Sequence, residues 1–139
     1  MNHYPFEFAV FIARVFLGIL FFFQGYEKVF RLSTREIVES FHEPAHSRHL
    51  PDWMLNLGVY FTSYTELIGG FMLIIGLFKY YALFFLGLDL LFVAIAFSIL
   101  RPMWDMQYVF PRLVLLILLL VSPANADIFS ADYLFSIRQ

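Results

Sequence analysis

Four long apolar stretches leave this chain few ways to fold. They cover residues 5–30, 53–78, 80–100 and 107–123. A helix needs about 20 mostly apolar residues to cross a bilayer, and the runs are continuous rather than alternating, which argues against membrane strands. The sequence therefore predicts an all-α integral membrane protein, with residues 1–139 forming one domain and four transmembrane helices packed as a bundle.

The composition supports a membrane protein and excludes several functions. Of the 139 residues, 61% are hydrophobic and 14% are charged, against about 45–50% and 25% in soluble domains. A net charge of −2 gives no sign of nucleic-acid binding. The absence of cysteine excludes disulfides, thiolate metal sites and iron–sulfur centres. No evident haem or flavin site, nucleophile elbow, P-loop or dinucleotide fingerprint is present. Without a basic n-region or cleavage site, the first helix is expected to stay in the mature protein.

The one sizeable polar segment, residues 31–51, separates the first two apolar stretches. Ser33 and Glu36 have the spacing of a capping box, in which each satisfies a free backbone N–H of the other. Three apolar side chains behind it share one helical face: Ile37, Val38 and Phe41. We predict a short amphipathic helix that ends before Pro44 and lies on the membrane surface. A plain surface loop is the alternative.

Three histidines, His42, His46 and His49, lie in the same segment. His46 and His49 could share a metal if this segment were helical. Histidines in a polar loop are more often simply solvated, so we predict no metal site and keep these three only as weak candidates.

Four ionisable residues lie well inside the apolar stretches: Arg14, Glu66, Asp89 and Arg112. Each is costly in lipid and is expected to face the bundle interior and find a partner. At about 1.5 Å per residue, Arg14 and Asp89 lie roughly 12–13 Å from the side of the termini, and Glu66 and Arg112 roughly 18–20 Å. The matched depths predict an Arg14–Asp89 pair and a Glu66–Arg112 pair, which can merge into one buried network.

Two interpretations of this network remain open. It can be a structural clamp that fixes helix register, or a polar pocket for the head group of an apolar substrate such as a quinone. Glu66 is the stronger functional candidate, because a buried carboxylate can carry protons. Gln24, Glu27 and Lys28 end the first stretch, where they snorkel to the interface or line a pocket mouth; we favour the first.

Small residues follow the charged positions. Gly18 and Gly25 share a face of the first helix, and Gly69 and Gly70 flank Glu66 in the second. Small residues let helix backbones approach closely in lipid, so we expect packing rather than ligand contact from these glycines.

The positive charges predict an orientation. The side with both termini carries Lys79 and Arg138. The long loop and the third loop carry five: Lys28, Arg31, Arg35, Arg48 and Arg101. The positive-inside rule then places these loops in the cytoplasm and the termini outside, with Trp53 and Trp104 as anchors on the loop side.

Several motifs resemble those of the DoxX family over nearly the whole chain. Ala13-Arg14-Val15, Leu17-Gly18 and the run from Gly25 to Lys28 resemble its first helix. Glu66-Leu67-Ile68-Gly69-Gly70, followed by Gly76-Leu77-Phe78, is similar to its second-helix signature, and Ser130-Ala131-Asp132 to its closing motif. The chain departs from the family pattern at Pro123-Ala124-Asn125-Ala126, where a glycine-rich turn is usual, and Asp89 matches no family position.

The resemblance implies a four-helix membrane subunit associated with redox systems, since the family takes its name from a subunit of a thiosulfate:quinone oxidoreductase. The residues of this chain that the resemblance matches to functional positions of the family are Arg14, Lys28, Glu66, Gly69, Gly70 and Asp132. We expect a non-catalytic, quinone-facing subunit in a bacterial inner membrane, with quinone bound non-covalently. Other membrane or periplasmic redox proteins, or further copies of the chain, are its expected partners. A structural or assembly subunit is the alternative, and a small transporter is less favoured.

Overall fold

The computed structural model describes residues 4–47, 49, 51–100, 107, 109–123 and 126–136. Within these ranges six α-helices follow one another: α1 (Tyr4–Tyr26), α2 (Thr34–Ser47), α3 (Asp52–Ile75), α4 (Lys79–Leu100), α5 (Phe110–Val121) and α6 (Ala131–Ser136). A π-helical turn, Glu27–Arg31, continues α1. All regular elements in the described ranges are helices, which confirms the all-α prediction for that part of the chain.

Among the described residues, three helices are long and apolar enough to cross a membrane: Pro5–Arg31, Asp52–Ile75 and Lys79–Ile99. They coincide with the first three predicted stretches to within about one turn. Helix α5 has 12 residues, and at about 1.5 Å per residue it covers roughly 18 Å, less than the roughly 30 Å of a bilayer core. The last predicted stretch is therefore helical over a shorter range than residues 107–123.

The helices α1, α3, α4 and α5 form a closed ring of neighbours. In the described residues, α1 packs on α3, α3 on α4, α4 on α5 and α5 back on α1. The end with the α3–α4 turn and α6 is called the tail side below, and the end with α2 and the last turn of α4 is called the loop side. Helices α1 and α3 make the closest interface. Glycines explain this, because a Cβ at Gly25 would lie 2.3 Å from the Leu67 nitrogen and one at Gly70 2.4 Å from the Phe22 nitrogen.

The turn between α3 and α4 depends on Gly76. This residue has a φ of 76°, and its N–H bonds to the Met72 and Leu73 carbonyls. The next N–H, of Leu77, also reaches Met72, as in a Schellman motif, which uses glycine for its left-handed position. This turn ends α3 at Ile75, three residues before the predicted end of the second stretch.

The amphipathic helix is present, but two of its predicted features are wrong. Helix α2 runs through Pro44 to Ser47, although a proline inside a helix removes one backbone donor and crowds the carbonyl four residues before it. The Ser33 hydroxyl accepts a 3.4 Å bond from the Arg35 N–H rather than from Glu36. The buried Ala45 of α2 lies on the face of that helix that packs on α3 and α4.

Candidate functional site

One group of charged residues, here called the tail-side cluster, consists of Arg14, Lys79, Asp127 and Asp132. The Arg14 Nε lies 2.9 Å from Asp127 Oδ2, with 0% and 1% of the two side chains exposed. Arg14 also donates to the carbonyls of Leu73 at 2.6 Å and Ile74 at 3.0 Å. These carbonyls belong to the last turn of α3, where a helix runs out of its own i+4 donors, and the Leu73 carbonyl also accepts a 3.2 Å bond from the Gly76 N–H. Arg14 is therefore a buried cap of α3 as well as half of an ion pair.

Asp132 fixes the segment after α5, residues 126–136 and here called the tail, against the start of α4. Its two carboxylate oxygens accept from the backbone N–H groups of Phe78 and Lys79 at 2.8 and 2.9 Å. Its own N–H donates to the Gly76 carbonyl at 3.0 Å. A carboxylate at a helix N-terminus satisfies free donors and complements the helix dipole. The Lys79 ammonium, 3.5 Å from Asp127, completes the cluster.

Gly76 makes room for this arrangement. A Cβ there would lie 2.7 Å from Ser130 Cβ and 2.8 Å from Arg14 Nη1. The position therefore needs glycine for its positive φ and for the approach of the tail and Arg14.

A second group, here called the interior cluster, consists of Lys28, Glu66, Asp89 and Arg112. The Lys28 Nζ lies 2.6 Å from Glu66 Oε2, and the two side chains are 19% and 1% exposed. Lys28 belongs to the π-helical turn, an irregularity that is frequent at functional sites.

Asp89 is the least satisfied member of the interior cluster. It is fully buried, and neither carboxylate oxygen has a hydrogen-bond partner among the described residues. It lies within electrostatic range of Glu66, Lys28 and Arg112. The Arg112 guanidinium carbon stands 5.7 Å from the centre of the Phe21 ring, a cation–π contact. The formal charges of the two cations and the two carboxylates thus cancel, but the Asp89 carboxylate has no hydrogen bond among the described residues.

Three of these groups lie at one level. Counted from the tail-side ends of α3, α4 and α5 at about 1.5 Å per residue, Glu66, Asp89 and Arg112 are all roughly 14–15 Å deep. That depth is about half of a hydrocarbon core of roughly 30 Å. The interior cluster therefore lies near the middle of the bundle.

The predicted pairings are wrong in their partners. Arg14 pairs with Asp127 instead of Asp89, because α1 begins well beyond the end of α3 and the Arg14 guanidinium lies at the last turn of α3, where it also meets the chain after α5. The ion pair of Glu66 is with Lys28, and Arg112 acts on Glu66 only through its field. Lys28 turns inward instead of snorkelling to the interface.

Sequence reasoning missed Asp127, Lys79 and the inward role of Lys28. Asp127 follows the last apolar stretch and looks like a surface residue there. The signal that was available is the closing Ser130-Ala131-Asp132 motif, which marks the tail as ordered.

The remaining candidates are less closely tied to either cluster. Gln24 is half-buried, and its Oε1 has no hydrogen-bond partner in the described part of the chain. Gly70 packs against α1, while a Cβ at Gly69 would lie 2.9 Å from Leu86 Cγ. Both glycines therefore serve packing, as predicted.

The histidines lie apart from both clusters. The His42 and His46 rings stack with centroids 6.3 Å apart, and His42 Nε2 lies 3.4 Å from Asp52 Oδ1 on an exposed surface. His49 is exposed, with a φ of 58°. Within the described ranges no three potential ligands converge on a metal position. Arg48, Arg101, Trp104 and Arg138, used for the orientation, lie outside the described residues.

A small apolar cavity of about 70 Å³ lies between α4 and α5. It is lined by Leu90, Leu91, Ala94, Val109, Phe110 and Leu113. The charged side chains of the interior cluster are not part of its wall.

Comparison with known proteins identifies one family. The model of the DoxX family matches residues 9–99, which run from within α1 almost to the end of α4 and include Arg14, Lys28, Glu66 and Asp89. Comparisons with curated proteins and with solved structures found no significant match.

Proposed function

This chain belongs to the DoxX family of membrane proteins, and we propose that it is the non-catalytic, quinone-binding membrane subunit of a redox complex. The interior cluster would hold the quinone head group. The observation that carries this proposal is Asp89, a fully buried carboxylate whose two oxygens lack hydrogen-bond partners among the described residues. An unpaired buried acceptor costs free energy, and a bound donor such as a hydroquinone hydroxyl would remove that cost.

The cluster matches the chemistry of both quinone forms. Quinone carbonyls accept hydrogen bonds, which Arg112 and Lys28 can donate. Hydroquinone hydroxyls donate, and Asp89 and Glu66 are acceptors. A cluster with two cations and two carboxylates can therefore hold either form without changing its total charge.

The proposed membrane architecture has four crossings. Helix α4 runs from the tail side to the loop side, so α5 must run back. The Tyr80 hydroxyl donates to the Ser122 carbonyl at 3.4 Å, which ties the end of α5 to the tail side. We propose the bacterial inner membrane as the location, with the loop side cytoplasmic because it carries more Lys and Arg.

Partners follow from the same reasoning. In the proposed complex, electrons exchanged with the quinone pass to another membrane or periplasmic protein that carries a redox centre. Purification in mild detergent followed by mass spectrometry tests this: a copurifying protein with a flavin, copper or other redox centre supports the proposal. Recovery of the chain alone, or only of further copies of itself, contradicts it.

Quinone binding is tested by titrating the purified protein with a short-tailed quinone. We expect Glu66→Gln to weaken binding by about tenfold or more, equivalent to about 1.4 kcal/mol. Glu39→Gln is the matched control, because Glu39 lies on α2 in an exposed pair with Arg35. No binding by the wild type, or equal loss in both variants, contradicts a site at the interior cluster.

A structural or assembly role is the second candidate. It is favoured by the tail-side cluster, in which Arg14 joins α1, α3 and the tail. If this is the whole function, Glu66→Gln changes the yield of a complex and leaves the turnover of that complex unchanged.

A further inference from the structure

An apolar layer separates the two charged clusters. Its side chains come from three helices and are at most 3% exposed: Leu17, Phe21, Leu83, Leu86, Leu116 and Leu119. Along α4, Leu83 and Leu86 stand between Lys79 and Asp89. At about 1.5 Å per residue they lie roughly 6 and 11 Å from the start of α4, while Asp89 lies roughly 15 Å from it.

This layer is a barrier to charge. Its side chains offer no hydrogen-bonding group to water or to a proton, and ionised groups are costly in such surroundings. Beyond the layer, three members of the tail-side cluster are closed off from solvent as well, since Arg14, Lys79 and Asp127 are at most 4% exposed; the fourth, Asp132, is half-buried in α6. In the part of the chain that the structure describes, the apolar layer therefore leaves no polar route for protons from the interior cluster to the tail-side cluster.

Toward the loop side, by contrast, polar side chains follow the interior cluster. Lys28, with 19% of its side chain exposed, lies in the π-helical turn at the loop-side end of α1. Ser63 is about one turn beyond Glu66 toward the loop side and carries a hydroxyl on the buried face of α3. Polar groups thus continue from Glu66 toward the loop side.

We propose that the interior cluster exchanges protons with the loop side of the membrane alone. A proton accepted by the Asp89 or Glu66 carboxylate leaves past Lys28 to water on that side. The proposed quinone function supplies a source for such protons, and the inference rests on it only for that source. The one-sided access follows from the packing.

Side-specific thiol chemistry tests the access directly, because the natural chain has no cysteine. Ser63→Cys is a near-isosteric probe beside the interior cluster. Ser122→Cys is the matched control, a buried serine at the tail-side end of α5. Ser40→Cys and Leu134→Cys, at exposed positions on α2 and α6, report which face of a vesicle is which.

The probe is Ag⁺, a small thiophilic ion, added to one face of sealed vesicles of known orientation. After quenching and denaturation, free thiols are alkylated and counted by mass spectrometry. We expect Ser63→Cys to react about tenfold or more faster from the loop side than from the tail side, a difference of about 1.4 kcal/mol in barrier. Equal rates, a faster tail-side reaction or no reaction from either side overturns the inference.

Quinone titration of the same variants separates the two proposals. If Ser63→Cys binds quinone as the wild type does but reacts equally from both sides, only the one-sided access is wrong. If the wild type binds no quinone, the proposed function is wrong whatever the labelling shows.

Discussion

Arg14 and Asp127 form a fully buried ion pair that joins the first transmembrane helix to the C-terminal tail. The same guanidinium donates to carbonyls of α3 and to the Phe129 carbonyl of the tail. One side chain thus holds three separate segments. A buried charge is tolerated only when such partners surround it.

Removing this cation should be strongly destabilising. We expect Arg14→Met to cost about 3–5 kcal/mol, because Asp127 would keep only the more distant Lys79. The unfolding free energy is measured by SDS titration in mixed micelles. Adding Asp127→Asn should recover part of the loss, whereas adding Asp89→Asn should be additive within about 0.5 kcal/mol. If Asp89→Asn instead recovered the lost unfolding free energy, the Arg14–Asp89 pair predicted from the sequence would be supported.

Lys28 and Glu66 should be energetically coupled. A double-mutant cycle with Lys28→Met and Glu66→Gln is expected to give a coupling of about 0.5–3 kcal/mol, since one partner is nearly fully buried. The exposed pair Arg35 and Glu39 is the control, with an expected coupling of about 0.3–0.5 kcal/mol. Equal coupling in the two cycles would show that Lys28 does not hold Glu66.

The glycines between α1 and α3 should resist substitution. A Cβ at Gly70 would lie 2.4 Å from a backbone nitrogen of α1, whereas nothing lies within 4 Å of a Cβ at Gly58. Gly70→Ala should therefore separate the two helices and lower the thermal unfolding midpoint. Gly58→Ala should raise stability by up to about 1 kcal/mol through helix propensity. A Gly70→Ala protein as stable as the wild type would contradict this close packing.

The tail should protect the start of α4. Asp132→Ala removes the acceptor for the Phe78 and Lys79 N–H groups, and loss of a helix cap costs about 0.5–2 kcal/mol. Hydrogen exchange of these two amides should accelerate, while amides in the middle of α4 should not change. Unchanged protection at both sites would mean that the tail is not the cap.

The sequence predicted the helices well because their signals are local. Runs of apolar residues indicate the three long helices without any knowledge of their neighbours, whereas the turn at Gly76 was not predicted and the second stretch was drawn through it to residue 78. Burial of Arg14, Glu66 and Asp89 was predicted for a similar reason, since lipid forces ionised groups inward. Packing of Gly70 against α1 followed from its size.

The pairing of charges depended on information that is not local. The depth of a side chain in the membrane is estimated from where its helix ends. The turn at Gly76 ends α3 where the Arg14 guanidinium binds its last carbonyls. Asp127 reaches Arg14 only because the chain folds back after α5, which no periodicity reports. The inward turn of Lys28 depends on a π-helical turn, and no sequence pattern recognised in this chain predicted it.

Photolabelling with a short-tailed quinone that carries an azide on its ring tests the central claim most directly. After irradiation of the purified protein, mass spectrometry locates the label. The account predicts label in the peptides around Asp89 and Arg112, which excess unmodified quinone removes. Label confined to lipid-facing side chains such as Phe84 and Phe92, and insensitive to competition, would contradict a quinone site at the interior cluster.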